Sequence, residues 1–176
     1  MSAAFELHDV TIAYQGHPAV HHINGQFDVG TLTALIGPNG AGKSTLLTAM
    51  AGLKRLSQGH IHRAKELTQP GAVAFLSQLS TINADFPLRV LEVVAMGVWP
   101  RFGALGAING KELLAIEQAI AQVGLAGFED RLVDELSVGQ LQRVLFARLI
   151  VQDAPVILLD EPFAGVDPIA VEDIQN

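Results

Sequence analysis

A glycine-rich segment in the first third of the chain places the tightest limits on its fold. Residues 37–44 read Gly-Pro-Asn-Gly-Ala-Gly-Lys-Ser, which matches the pattern G-x-x-x-x-G-K-[ST] in full. The apolar and β-branched run Thr31–Ile36 precedes it and is typical of a strand buried on both faces of a sheet. Helix-forming residues follow it. This order of strand, loop and helix predicts an α/β fold that binds phosphate groups.

The residue types in this segment suit ATP and Mg²⁺. Glycines let the backbone curl so that successive N–H groups point inward, and the positive end of the following helix adds to the same field. Lys43 offers a compact cation to the β- and γ-phosphates, and the Ser44 hydroxyl is a hard oxygen ligand for Mg²⁺. A glycine-rich turn with chance Lys and Ser is the alternative, which the surrounding strand and helix disfavour. The expected nucleotide-binding residues here are Gly37, Pro38, Asn39, Gly40, Ala41, Gly42, Lys43, Ser44 and Thr45.

A second predicted strand, later in the chain, ends in two acids. Four apolar residues, Val156–Leu159, are followed by Asp160 and Glu161, so the strand delivers both carboxylates to one end of the sheet. In a phosphoryl-transfer site Asp160 suits the Mg²⁺ shell, and Glu161 can orient and deprotonate an attacking water. Acids that merely end a strand are common, but the phosphate loop upstream favours the catalytic interpretation.

Length and composition exclude several classes of protein. The 176 residues fit one domain, and with 49% hydrophobic and 16% charged residues the chain is too apolar for disorder. Its apolar windows are too short for a membrane span, and its N-terminus lacks the pattern of a secretory signal. The absence of cysteine rules out disulfides and thiolate metal sites. A net charge of −7 argues against nucleic acid as the main partner.

The hydrophobic pattern alternates strands and helices around the two motifs. We expect β structure in residues 5–14, 20–27 and 59–76, a turn at 15–18, and a fully buried strand at 155–160. Helices are predicted over residues 88–96, 111–123 and 138–151, with a glycine-containing loop at 100–106. The second helix has one apolar face, formed by Leu113, Ile116, Ile120 and Val123.

The start of the third predicted helix carries a specific resemblance. Residues 136–148 read Leu-Ser-Val-Gly-Gln-Leu-Gln-Arg-Val-Leu-Phe-Ala-Arg, which resembles the signature segment of ATP-binding cassette (ABC) ATPases. The segment also stands just upstream of the acidic strand, as in that family. The resemblance covers nearly the whole chain. It implies an α/β P-loop NTPase fold with an N-terminal antiparallel β subdomain and a helical subdomain.

The family resemblance also implies roles for residues outside the phosphate loop. Tyr14 would stack on adenine, Gln78 would join the Mg²⁺ site to the transmembrane partner and take part in catalysis, and Asp167 would belong to a loop that communicates across a dimer. Three signature residues would face the γ-phosphate held by a second copy of the chain: Ser137, Gly139 and Gln140.

Each of these residues has a simpler interpretation. Tyr14 alone would be a strand-packing residue, and Gln78 alone a surface glutamine. Ser137 is expected to cap the helix that follows, a role compatible with anion binding. Val138 departs from the family pattern, which usually has glycine there. Because a β-branched residue restricts the backbone, we expect Val138 to tune the signature site without destroying it.

Two segments indicate a branch of the family. Residues 85–97 resemble importers of zinc, manganese and chelated iron, and residues 17–22 most resemble zinc-uptake members. That branch implies an integral-membrane permease, a second ATPase copy and a separate metal-binding protein, with this chain on the cytoplasmic face of the membrane. We do not expect the histidines to bind zinc: His21 and His22 should point to opposite faces of a strand, and His60 and His62 have no third ligand nearby.

The leading hypothesis is therefore an ATPase subunit of a metal importer, with residues 1–84 and 152–176 forming the core and 85–151 the helical subdomain. Closure around ATP would move the helical part and drive the permease. A soluble ABC protein of DNA repair or translation is the first alternative. A fragment with impaired hydrolysis is the second, because the resemblance implies a further central strand and a catalytic histidine beyond Glu161, whereas the last histidine is His62.

Overall fold

The computed structural model describes residues 2–77, 87–102 and 107–162. Its strands and helices, in chain order, are β1 (Ala3–Tyr14), β2 (His17–Asp28), α1 (Lys43–Met50), β3 (Gln58–Arg63), β4 (Val73–Leu76), α2 (Val90–Ala95), α3 (Trp99–Phe102), α4 (Gly110–Gln122), α5 (Val138–Gln152) and β5 (Val156–Leu159). Short 3₁₀ turns lie at Lys65–Thr68 and Val133–Glu135. The predicted α/β class is confirmed. Within these ranges no helix has the length and apolarity needed to cross a membrane.

The N-terminal part of the chain forms an antiparallel sheet with the strand order β2-β1-β3. Tyr14 pairs with His17 across a tight turn in which Gln15 and Gly16 both have positive φ, 49° and 85°. Such a turn matches the twist of the two strands that it joins. The turn is therefore shorter than the predicted 15–18, and Pro18 already belongs to β2.

A second sheet consists of β4 and β5, which pair in parallel. The predicted β region 59–76 is divided between the two sheets, since β3 joins the first and β4 the second. Side chains of β4 alternate between two cores: Ala74 and Leu76 pack with the helices, whereas Val73 and Phe75 pack toward β1 and α1. This short strand therefore connects the helical region to the β-rich region.

The helical region is built from α2, α4 and α5 around a continuous apolar core. The predicted spans of these helices are confirmed to within two residues at either end. On α4, Ile116 and Ile120 are buried, but Leu113 is 40% exposed, so the apolar face is narrower than predicted. The predicted loop at 100–106 begins with the single helical turn α3, and residues 103–106 lie outside the described ranges.

A close approach of two backbones holds α2 against α5. A Cβ at Gly97 would contact the backbone carbonyl oxygen of Arg148, so only glycine fits there. Arg148 is partly buried, and this burial lowers the pKa of its guanidinium. The side chain lies in the helical region and is not among those that line the cavity of the candidate site described below.

The predicted strand Thr31–Ile36 is wrong as a statement about this structure. These residues form no strand and are exposed, with Leu32 at 102% and Ile36 at 90% of full exposure. A strand needs hydrogen-bonded neighbours, and no strand of the described residues pairs with this segment. The segment has the composition of a buried strand, but among the described residues it lacks the neighbouring strand that would bury it.

The prediction of a fully buried strand at 155–160 is also wrong in part. β5 forms, yet Ile157 and Leu159 are 50% and 38% exposed while Leu158 is buried. In the described ranges β5 has a neighbour on one edge only, namely β4. Because alternate side chains of a strand point to opposite faces, one face of β5 packs against the core and the other meets solvent.

Candidate nucleotide-binding site

The phosphate loop depends on glycine at two positions. Gly40 and Gly42 have left-handed φ values of 82° and 86°. A Cβ at Gly42 would also contact the backbone oxygen of Ala19 and come within 2.8 Å of Val20 Cγ2. The loop therefore lies directly against β2, and any side chain at position 42 would push the two apart.

The loop leads into α1 without a side-chain cap. Gly42 is the N-cap residue and provides no side-chain hydrogen bond, while its carbonyl accepts from Leu46 N–H at 2.9 Å. The first N–H groups of a helix need external acceptors, and the helix dipole makes this end partly positive. The start of α1 is therefore suited to an anion such as a nucleotide phosphate.

Lys43 is folded back onto the loop. Its Nζ donates to the carbonyl oxygens of Gly37 and Pro38, at 2.9 and 3.0 Å. These bonds hold the cation at the centre of the loop, next to the curled backbone. Because carbonyl oxygens are weaker acceptors than phosphate oxygens for an ammonium group, a nucleotide entering the loop can take over this cation.

The two predicted Mg²⁺ ligands lie together. The Ser44 hydroxyl donates to Asp160 Oδ1 at 2.9 Å, across 116 positions of sequence, and Asp160 is only 6% exposed. The backbone N–H of Asp160 donates to the Leu76 carbonyl, so β4 fixes the position of this carboxylate. Neighbouring oxygens around an octahedral Mg²⁺ are about 2.9 Å apart when the metal–oxygen distance is about 2.05 Å. The hydroxyl and the carboxylate therefore fit adjacent positions in a Mg²⁺ shell.

Glu161 faces the same open cavity as the phosphate loop. The cavity has a volume of about 370 Å³ and is lined by Ala19, Asn39, Gly40, Gly42, Lys43, Ser44, Thr45 and Glu161. Glu161 is exposed and has a left-handed φ of 47°. For a residue other than glycine this conformation is strained, and such strain clusters at functional sites. The structure thus brings an exposed carboxylate to the loop that is suited to phosphates.

Tyr14 is the last residue of β1. Its strand partner is His17, two residues before the cavity-lining Ala19. The Tyr14 side chain is not packed into the core, because the residue is 48% exposed. Lys54 Nζ lies 3.6 Å from the centre of the ring. The strand-packing alternative for Tyr14 is therefore disfavoured, and its ring is available for stacking.

The signature residues at the start of α5 do not line this cavity. Ser137 caps α5: its Oγ accepts from Gln140 N–H at 3.2 Å, and Gln140 Oε1 accepts from Ser137 N–H at 3.0 Å. Val138 is the first residue of α5 and is 52% exposed, and Gly139 follows it in the helix. A helix accommodates a β-branched residue with only a slightly lower propensity, so the cost of Val138 at this position is small. None of these four residues lines the cavity around Lys43.

Two other predicted site residues lie outside the described ranges. Gln78 and Asp167 fall in 78–86 and 163–176 respectively, so their predicted roles stay predictions.

The histidines of the β sheet form pairs across and along strands. His8 lies opposite His60, and their rings stack with centres 4.7 Å apart. The rings of His21 and His22 meet edge to face at 4.2 Å, so the expectation that they point to opposite faces is wrong. His22 has a left-handed φ of 50°, which breaks the alternation of side chains. In residues 2–77, 87–102 and 107–162, no three acidic or histidine side chains are grouped to hold a metal ion.

Two residues of the site were not predicted from sequence. Ala19 lines the cavity because the Gly42 contact presses β2 against the loop, and Lys54 reaches the Tyr14 ring from beyond the end of α1. Gly52, just after α1, is the sequence feature that indicates a chain reversal before Lys54, since glycine commonly reverses the chain at a helix end.

Comparison with known proteins agrees with this geometry. Residues 20–164 match the family model for ABC transporters. The chain is 42% identical over 164 residues to the manganese transport system ATP-binding protein MntB of Listeria monocytogenes, covering 92% of this chain and 68% of the relative. It is 41% identical over 169 residues to the zinc transport system ATP-binding protein TroB of Treponema pallidum, covering 93% and 62%.

The fold likewise matches a solved cassette. A dimeric structure of a bacterial ABC transporter cassette superimposes with a TM-score of 0.78 and 28% identity, covering 97% of this chain and 79% of that one. The α/β P-loop fold, the paired Ser44 and Asp160, and the matched relatives agree with one another. The chain belongs to the ABC transporter family, and residues 20–164 match its ATPase domain.

Proposed function

We propose that this chain is the ATP-binding and ATP-hydrolysing subunit of an ABC importer for a divalent transition metal. The observation that carries the proposal is the hydrogen bond between Ser44 and Asp160 beside a cavity lined by Lys43 and Glu161. The names of the relatives supply the kind of cargo, manganese or zinc. Between these we favour zinc, because residues 17–22 most resemble zinc-uptake members.

Each of these residues has a separate role in the proposed ATP hydrolysis. Lys43 exchanges its bonds to the loop carbonyls for bonds to the β- and γ-phosphates and so balances their charge. Ser44 and Asp160 would hold Mg²⁺, which when bound neutralises charge on the phosphate oxygens. Glu161 accepts the proton of the attacking water at its carboxylate. The adenine ring stacks on Tyr14.

Hydrolysis requires a second copy of the chain in this proposal. The first turn of α5 carries oriented N–H groups, but Ser137, Gly139 and Gln140 do not line the cavity of their own chain. They meet a γ-phosphate only when another copy presents one. An integral-membrane permease and a separate metal-binding protein complete the importer, with this subunit peripheral on the cytoplasmic side. The dimeric cassette among the structural matches supports the paired arrangement.

Substitution of Glu161 separates binding from turnover. Glu161→Gln should retain ATP·Mg²⁺ binding and lower the hydrolysis rate by about a hundredfold or more, because the base is lost while the cavity keeps its shape. Lys43→Ala should lose binding as well. Titration calorimetry and phosphate release measure the two effects, and Glu117→Gln removes an exposed α4 carboxylate as the matched control. Hydrolysis by Glu161→Gln at the unsubstituted rate would contradict the assigned base.

The cargo is tested in cells. Deletion of the gene should lower accumulation of radioactive zinc, and the wild-type gene, but not its Glu161→Gln form, should restore it. Loss of manganese accumulation alone would change the cargo to manganese. Unchanged accumulation of both metals would contradict the importer.

A further inference from the structure

We propose that Lys54 is a positioning residue for the nucleobase: its ammonium group covers one face of the Tyr14 ring and directs adenine to the other. This inference rests on the proposed ATP binding. The contact between Lys54 Nζ and the ring is short, 3.6 Å to the ring centre. A cation so close to an aromatic face is held by the negative charge of the π system.

Backbone hydrogen bonds around Lys54 fix the position from which its side chain reaches the Tyr14 ring. α1 ends in a tight reversal in which Gly52 N–H donates to the Ala49 carbonyl and Leu53 N–H donates to the Thr48 carbonyl. Gly52 has φ of 83°, the left-handed conformation that this type of helix end requires. The reversal fixes Lys54 two residues beyond the glycine, beside the end of β1.

The next residues attach this segment to β1. Ser57 N–H donates to the Thr11 carbonyl at 2.8 Å, and the Ser57 hydroxyl accepts from Ala13 N–H at 2.9 Å. Lys54 is therefore held between two fixed points, the end of α1 and the edge of β1. Its side chain is half-buried, whereas that of the neighbouring Arg55 is exposed.

The same helix connects the Tyr14 ring to the phosphate loop. α1 begins at Lys43, which faces the cavity, and the chain segment beyond its end carries Lys54. On the other side, Tyr14 connects through the β1–β2 turn to Ala19, which also lines the cavity. Both routes set the distance between the ring and the phosphates, so a base stacked on Tyr14 is positioned relative to Lys43.

Lys54 has two effects on a stacked base. It occupies one ring face, so the base has a single stacking position. It also draws π density toward its own side, which strengthens attraction of the opposite face for an electron-rich purine. Both effects act on the base and not on the phosphates. A ligand that has phosphates but no base should therefore be indifferent to Lys54.

The test compares ATP with tripolyphosphate, both with Mg²⁺, by titration calorimetry on the full chain. Lys54→Ala should weaken ATP binding about twofold and by no more than about fivefold, because a stacked base gains only part of the strength of one cation–π contact at an exposed site, and it should leave tripolyphosphate binding unchanged. Lys54→Arg should bind ATP as tightly as the unsubstituted chain, because a guanidinium also stacks on aromatic faces. Arg55→Ala removes a neighbouring charge as the matched control and should change neither ligand.

Three results with Lys54→Ala would overturn the inference. Equal weakening of both ligands in Lys54→Ala would make Lys54 a phosphate or folding residue, and unchanged ATP affinity would leave it without a role in binding. Tighter ATP binding would show that Lys54 competes with the base for one face. Failure of the proposed function is distinguishable, because then the unsubstituted chain binds neither ATP nor tripolyphosphate. If Tyr14→Ala binds ATP as tightly as the unsubstituted chain does, the base does not stack on Tyr14 and the inference about Lys54 fails while the proposed function stands.

Discussion

The helical region and the segment before the phosphate loop face the same requirement, backbone hydrogen bonding, and only the helical region meets it within the described residues. α4 and α5 bond most of their N–H and C=O groups internally, and side chains such as Ile116 and Val144 are fully buried between the helices. Residues Thr31–Ile36 have the composition of a buried strand, but among the described residues no strand lies beside them. Leu32 and Ile36 consequently lie in solvent.

This difference shows what an apolar sequence pattern does and does not specify. A helix closes its hydrogen bonds within one segment, so periodicity alone predicts both the helix and its buried face. A strand forms its hydrogen bonds with a neighbouring strand. The sequence pattern therefore predicts that the segment prefers burial but does not identify the strand that pairs with it. The phosphate loop follows directly after the segment for which no strand of the described residues provides hydrogen-bond partners.

Hydrogen exchange should show the largest contrast between the two regions. Amides of residues 33–36 should exchange at least about a thousandfold faster than those of 144–149 in α5, because unpaired backbone opens at almost no cost while core helices open near the global free energy of unfolding. Mass spectrometry of the native chain measures both peptides. Similar protection of the two would show that residues 33–36 have found a strand partner in solution.

Truncation of matched isoleucines should give the next largest effect. Ile116→Ala removes a fully buried side chain of α4 and should lower the free energy of unfolding by about 2–5 kcal/mol. Ile36→Ala removes a side chain that is 90% exposed and should change it by less than about 0.5 kcal/mol. Urea unfolding followed by circular dichroism measures both. A comparable loss in the two variants would mean that Ile36 is buried, against the comparison made above.

The site was more predictable from sequence than the sheet around it. Ser44 belongs to the phosphate-loop motif and Asp160 to the acidic end of a predicted strand, and the structure brings the two side chains together at 2.9 Å. Their roles as Mg²⁺ ligands stay predictions. The contact of Lys54 with Tyr14 depends on the exact reversal after α1, and the contact of His21 with His22 on one left-handed residue. Neither contact produces a periodic pattern in the sequence. Whether another strand pairs with Thr31–Ile36 depends on residues distant in sequence, so the pattern within the segment does not predict it.

The two left-handed glycines of the phosphate loop should differ by a smaller margin in stability, and the difference measures the support that the loop receives from β2. Gly40→Ala should cost about 1–2 kcal/mol of unfolding free energy from backbone strain alone, since nothing lies within 4 Å of the added Cβ. Gly42→Ala carries the same strain plus a contact with Ala19, so it should cost more and should also lose ATP·Mg²⁺ binding. Urea unfolding measures the free energy of unfolding, and titration calorimetry measures ATP·Mg²⁺ binding.

If Gly40→Ala and Gly42→Ala gave equal results in both measurements, the contact of the loop with β2 would not stabilise the loop, and the support that we assign to β2 would be wrong. A larger effect at Gly42 would show that the loop takes its stability from the β1–β2 hairpin, which explains how it keeps its shape although no strand of the described residues pairs with the segment before it.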